Sequence, residues 1–281
     1  MRGDMVSRPF LLVACMLLSA CSCFASCSLP AGTTAWLDAL RKVQDAATAD
    51  FELGQAQVDN VSCLDDAVLT FQNLANTDDN KQKSLATGML RVANARKLIA
   101  SGDRQGAIQA LENVATNFEN YYPPYLRAVH DLSLLLRNHP DDPAWLFLGT
   151  QLDKITAKDD VNGIVAQDIA EIALHDIQTG KPDQGLSLME TYLAKDHSVQ
   201  IRLQSSILYL ELLWDTGAAS NVRVLCQELD SEVGEEELDP SLRMQFLQVC
   251  SAAYTNSPDP QGQLRYARFS AALAKAQGEL Q

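Results

Sequence analysis

The chain is short of three things. Aromatic residues make up 6% of its 281 positions, glycine and proline number 14 and 10, and 22 Lys and Arg face 36 Asp and Glu. The first two shortages argue against an all-β sandwich or barrel, which needs β-branched and aromatic strands with frequent turns. The third argues against a nucleic-acid partner, because phosphate binding rewards clustered Lys and Arg and this chain carries a formal charge of −14. Histidine is scarce as well: His130, His139, His175 and His197 are scattered along the chain. No His-Glu-x-x-His, Gly-x-Ser-x-Gly, Ser-x-x-Lys or phosphate-loop Gly-Lys-Ser/Thr string occurs. No Cys-x-x-Cys pair occurs, so a structural zinc is not expected. The expectation is a protein with no enzymatic centre, no cofactor and no metal. With 47% hydrophobic residues, the chain can still bury a substantial core, so disorder as a whole is excluded.

The longest apolar run, Phe10 to Leu18, is too short to span a bilayer, which takes about 20 residues. With Arg2 and Arg8 before it, the run fits the core of a secretory signal. It ends in Leu18-Ser19-Ala20-Cys21. This string resembles the lipobox of bacterial lipoproteins. The resemblance implies cleavage before Cys21, acylation of its sulfur, and membrane attachment through the N-terminal lipid. Ser22, rather than Asp, after the cysteine implies sorting to the outer membrane, with the protein facing the periplasm. The alternative is an ordinary cleaved signal and a secreted or periplasmic protein. Removing residues 1–20 takes the basic and acidic counts to 20 and 35, or −15. An acidic body gains nothing from an anionic membrane surface, so attachment would fall to the lipid.

Five cysteines remain beyond Cys21: Cys23, Cys27, Cys63, Cys226 and Cys250. Export permits disulfides. Cys226 and Cys250 fall on neighbouring predicted helices, where they either pair or pack as small apolar residues. An odd number leaves at least one thiol free or paired between chains.

Apolar positions recur at helical spacing over 33–54, 60–76, 80–101, 103–117, 123–138, 142–158, 162–179, 182–195, 198–216, 219–232, 240–256 and 260–278. Asp142-Pro143, Asp239-Pro240 and Asp259-Pro260 each put a capping acceptor before a proline that needs no N–H. Gly102, Gly180 and Gly217 stand where left-handed caps end helices. Gly102 is followed five and nine positions later by small Ala107 and bulky Leu111, Gly180 at the same offsets by Gly185 and Met189, and Gly217 by Val222 and Cys226. His139, Ala144 and Leu148, and Ser257, Gly262 and Tyr266, fit the same register. The pattern resembles the tetratricopeptide repeat (TPR), a helical hairpin of about 34 residues. The marker spacings, 37, 41, 37 and 40, exceed that period, and Val114, Tyr192, Leu229 and Phe269 replace a small residue of the family. The resemblance implies an all-α fold, a right-handed superhelical stack of antiparallel helix hairpins, or TPR-like α-solenoid. The expected organisation is a signal peptide over 1–20, lipidated Cys21 and a tether to 32, N-terminal helices over 33–79, and a TPR-like region over 80–281.

A stack of hairpins without catalytic strings points to binding, on the surface lined by the first helix of each hairpin. In the repeat register Arg96, Ser205, Glu211 and Trp214 lie on or near that face. Trp214 is either an interface anchor or a core residue at a helix end. Asp159 to Gly163 fails as a calcium loop, because Lys158 and Ile169 occupy the first and last ligand positions; it reads as a loop before a capped helix. Glu235-Glu236-Glu237 reads as a solvated acidic helix start. His130, on an apolar helix, is expected to be hydrogen-bonded or solvent-facing rather than a base. Tyr121 to Tyr125 forms an aromatic-proline knot, either a packed corner or an exposed contact. The expected function is a lipid-anchored scaffold or adaptor that binds an envelope protein or peptide. The alternatives are a non-catalytic regulator or remnant of a cell-wall enzyme and a self-assembling structural lipoprotein.

Overall fold

The computed structural model describes residues 27–156, 160, 163–195, 197–233, 240–255 and 260–279. Among them every regular element is helical. The α-helices are α1 (Ala31–Leu40), α2 (Ala46–Val58), α3 (Leu64–Leu74), α4 (Asn80–Ser101), α5 (Arg104–Asn117), α6 (Tyr122–Leu136) and α7 (Ala144–Thr156). They continue with α8 (Ile164–Gln178), α9 (Pro182–Leu193), α10 (Val199–Asp215), α11 (Ala219–Val233), α12 (Pro240–Tyr254) and α13 (Pro260–Glu279). A single 3₁₀ turn, Val61–Cys63, precedes α3. No helix among the described residues is long and apolar enough to cross a membrane. Cys21, Cys23, Glu235 to Glu237, Asp239, Ser257 and Asp259 lie outside the described residues.

Helix ends follow local chemistry. Asp79 accepts from the Gln82 amide at 2.7 Å and Asp103 from the Gly106 amide at 2.9 Å, each capping the helix after it. Gly102, Gly180 and Gly217 take φ of 83°, 84° and 76°. At each, the next residue's amide reaches back five residues, to Leu98, Asp176 and Leu213 respectively. Only a residue without a Cβ closes this turn at no steric cost. His139 does not imitate them. The turn after α6 is longer and closes through the His139 amide on the Leu136 carbonyl, with the Trp145 indole on the His139 carbonyl.

The predicted helix over 33–54 is two helices. Asp45 accepts from the Thr48 amide and hydroxyl, both at 2.9 Å, and starts α2. The apolar period alone does not register such a break. The chain is also ordered earlier than the predicted tether allows: α1 begins at Ala31, and Cys27 is disulfide-bonded to Cys63.

Consecutive helices pack against each other, and each even-numbered helix from α2 to α12 also touches the next even one. The odd-numbered helices form no comparable row. The core lies between the two sets. One cluster of buried side chains runs from Val58 to Leu212, a second from Leu203 to Phe269, and α10 contributes to both. The small and bulky positions after each turn are core: Ala107, Leu111, Leu148, Met189, Val222 and Cys226 are all 0% exposed. A Cβ on Gly185 would stand 2.4 Å from the Ala173 carbonyl oxygen, which is how closely α9 crosses α8. Val114, Tyr192, Leu229 and Phe269 are all buried, so bulk replaces small residues in the interior. Tyr266 departs from the register at 41% exposed, because no described helix packs beyond α13 to cover it. The aromatic-proline knot is a packed corner: Pro124 and Tyr125 are buried, and Pro124 fills the space above Gly88.

Candidate functional site

Three cavities open along the even-numbered helices. The first, of about 420 Å³, is apolar and bordered by Val58, Leu64, Ile99, Leu134 and Leu135, with Arg96 and Asp131 at its edge. The second, of about 350 Å³, is polar and lies between α6, α8, α10 and α12; His130, Arg137, Glu171 and Glu211 are on its walls. The third, of about 320 Å³, lies between α10 and α12 and is lined by Glu211, Trp214, Asp215, Gln248, Val249 and Ala252. Leu134 borders the first two and Glu211 the last two, so the three form one groove. A larger hollow of about 550 Å³ lies on another side, between α7, α8 and α9, with Leu146 78% exposed at its rim.

Ion pairs between successive even helices build the groove floor. Arg96 on α4 donates from Nε and Nη2 to the two carboxylate oxygens of Asp131 on α6, at 2.7 and 2.6 Å. Its Nη1 donates to the Val58 carbonyl at 2.7 Å and to Asp59 at 3.0 Å. Burial works against the Arg96 charge, and the Asp131 and Asp59 interactions more than offset it. Arg137 on α6 forms a two-pronged pair with Glu171 on α8, with Nε to Oε2 at 2.8 Å.

His130 on α6 meets Asp168 on α8, Nδ1 to Oδ1, at 2.9 Å. With the carboxyl ionised, Nδ1–H is the donor, since a carboxylate has no proton to give. Ser133 donates to the His130 carbonyl at 2.8 Å and to Asp168 at 3.3 Å. Its hydroxyl is thus directed to a carbonyl and a carboxylate, not to the imidazole, and the trio lacks the nucleophile–base contact of a hydrolytic triad. Asp168 is fully buried, and its Oδ2 has no hydrogen-bond partner. Burial pushes its carboxyl up to about 6, against the pull of the His130 hydrogen bond and charge and of Ser133.

The four residues read from the repeat register divide evenly. Glu211 and Trp214 stand on the groove. Arg96 lies at its edge, with its guanidinium engaged with Asp131, Val58 and Asp59. Ser205 is buried at 0% exposure and donates to the Ile201 carbonyl at 2.6 Å, out of a partner's reach. Glu211 is open to the groove, yet the walls desolvate its carboxyl and push it above the usual range. The charges of Asp215 and Glu171 add to this, and Arg137 pulls back.

Cys226 and Cys250 are joined by a disulfide between α11 and α12, and Cys27 is joined to Cys63. No group of His, Cys, Asp and Glu among the described residues could hold a metal ion. Asp160 accepts from the Ala166 amide at 2.9 Å and from the Tyr192 hydroxyl at 2.6 Å, so it caps α8, and Ile169 is core.

The inter-helix ion pairs escaped the sequence reading, although they left a signal there. Arg96–Asp131, Arg104–Asp142, His130–Asp168 and Arg137–Glu171 are separated by 35, 38, 38 and 34 residues, close to one marker spacing. A base followed by an acid one period later is the pattern that would have found them. Neither a scan of protein-family models nor a search of curated proteins gave a match to the chain.

Proposed function

We propose that the protein is a lipid-anchored adaptor of the cell envelope that binds another protein along the groove of its even-numbered helices. In this reading Cys21 carries the lipid, the protein sits in the outer membrane facing the periplasm, and the groove carries no catalysis. The helices form a right-handed, TPR-like stack of hairpins. The row of contacts from α2 to α12 supports that arrangement, since stacked hairpins bring their first helices side by side. The observation that carries the binding reading is the continuity of the groove: Leu134 and Glu211 join three cavities across α4 to α12. Leu134 is 42% exposed at one of these joints, an apolar side chain left open where a partner would cover it.

The test compares two faces. Leu134→Glu puts a charge in the groove, and Leu146→Glu puts one at the hollow beside α7. In a cross-linked pull-down from solubilised envelope, a partner should be held by the native protein and the Leu146 variant and lost by the Leu134 variant. Equal retention by both variants, or no partner at all, overturns the groove. Mass spectrometry of the mature N-terminus tests the anchor separately: an acylated Cys21 is expected, and an unmodified N-terminus beyond it rejects the lipid. In fractionation, Cys21→Ala should leave the membrane while its melting temperature stays unchanged.

A further inference from the structure

The cavity between α10 and α12 has three kinds of wall. Glu211 and Asp215, one helical turn apart, set two carboxylates on one side. Trp214 supplies an indole, whose face attracts a cation. Val249 and Ala252 give an aliphatic floor against which the stem of a long basic side chain can lie. Glu211 has no hydrogen bond and no ion pair with any described residue, and the guanidinium it senses, that of Arg137, is engaged with Glu171. Its carboxylate is thus partly desolvated among like charges, an unfavourable state that an incoming cation relieves.

The charge of the whole groove points the same way. Its walls carry the guanidinia of Arg96 and Arg137, engaged with the carboxylates of Asp131 and Glu171, and the carboxylate of Glu211 stands in excess of these pairs. Amides line the same stretch. Gln167 on α8, Gln204 on α10, and Gln245 and Gln248 on α12 reach the groove, and their side chains are hydrogen-bonded to no described residue. Each offers both a donor and an acceptor. An extended backbone entering the groove would lose water partners at its N–H and C=O groups, and such amides replace them.

On the reading of the groove as a partner site, we propose that its occupant is an extended segment of another protein carrying a Lys or Arg. The cationic head enters the Trp214 cavity against Glu211, and the glutamine amides hold the backbone. Electrostatic complementarity gives such a site its selectivity: a basic side chain is drawn in and an acidic one repelled.

The experiment is fluorescence anisotropy on the purified full-length protein in a non-ionic detergent. The probe is a short labelled peptide of Ala and Ser with one central Lys, beside counterparts with norleucine or Glu in its place. The Lys peptide should bind, and the norleucine and Glu peptides about tenfold more weakly or worse. Glu211→Gln should weaken the Lys peptide about fivefold and leave the norleucine peptide unchanged, with circular dichroism confirming an intact fold. Gln204→Ala with Gln245→Ala should weaken every peptide alike. Equal affinity for Lys and norleucine, or no response to Glu211→Gln, overturns the proposal. Displacement of the Lys peptide by spermidine at equal concentration also overturns it, because a small polycation then suffices. If a partner is lost on Leu134→Glu while the Lys peptide fails to bind, the cationic occupant is rejected and the adaptor reading stands. If peptide binding behaves as expected and no partner depends on Leu134, the adaptor reading fails instead.

Discussion

The helices from α4 to α8 and those from α10 to α13 meet the same need, holding one helix against the next, by different means. The first region uses buried charge. Asp131, Asp168, Glu171 and Asp176 are all buried there, and Arg96, His130 and Arg137 bridge successive even helices. Among the residues whose side chains are described, no buried polar one lies beyond Ser206. The second region relies on the Cys226–Cys250 disulfide between α11 and α12 and on an aromatic cluster. In that cluster the Phe269 ring lies 5.9 Å from both Phe246 and Tyr254. Arg223 completes the join by donating to the Ala253 carbonyl at 2.8 Å. Charged bridges fix a geometry but depend on ionisation, whereas a disulfide and packed rings do not. The two regions should therefore fail under different stresses.

The sharpest way to break that contrast is Arg96→Ala. It leaves the buried Asp131 carboxylate without its two-pronged partner and the Val58 carbonyl without its donor. Removing one member of a buried ion pair costs about 3–5 kcal/mol. Urea unfolding should show that loss with reductant present or absent. A cost under about 1 kcal/mol would mean that water reaches Asp131 and that the charges are not what holds this region.

The converse change is the paired Cys226→Ala and Cys250→Ala variant. The disulfide closes a sequence separation of 24 residues, and the chain-entropy relation gives about 3.5 kcal/mol for a loop of that size. Hydrogen exchange should show α10 to α13 losing protection while α4 to α8 keep theirs. Uniform loss along the chain would show that the two regions unfold as one unit.

Acidity separates the regions next. The Asp168 carboxyl is raised from 3.8 to about 6 in the folded protein. A raised acid adds stability that is fully present below about pH 4 and is lost as pH rises through 6. The melting temperature should therefore rise from pH 7 to pH 5, and Asp168→Asn should remove about 1.3 kcal/mol of that dependence. An unchanged pH profile would show that Asp168 keeps an ordinary carboxylate in the fold. The smallest expected effect is one the regions share. Asp79→Ala at the start of α4 and Ser198→Ala at the start of α10 each remove a capping acceptor, at about 1 kcal/mol by thermal unfolding. Costs differing beyond that scale would mean that the caps do more than end helices.

Much of the helix plan was legible because helix ends are local events. The left-handed glycines at 102, 180 and 217, and the prolines at 240 and 260, mark boundaries within a few residues of themselves. The break at Asp45 was missed because a capping side chain interrupts a helix without disturbing its apolar period. The site was less legible. The repeat register placed Glu211 and Trp214 on the groove, yet it put Arg96 and Ser205 in the same class. A register names a face of a helix and says nothing of what another helix brings to it. Asp131, 35 residues away, takes up Arg96, and the Ile201 carbonyl takes up Ser205 in the interior.

The sequence by itself determined the helical class of the described residues, the turns between most of their helices, and the acidic balance of the chain. Those properties follow from backbone sterics, side-chain caps and composition, all of which act within a few residues or over the whole chain. Only the tertiary structure decided which charges are neutralised and which remain open. The energy of a charge depends on its burial and on partners 34 to 38 residues away, and those exist only once the even helices lie side by side. Arg96 and Glu211 are both charged residues of one register. Packing turned the first into a strut of the fold and left the second facing the groove.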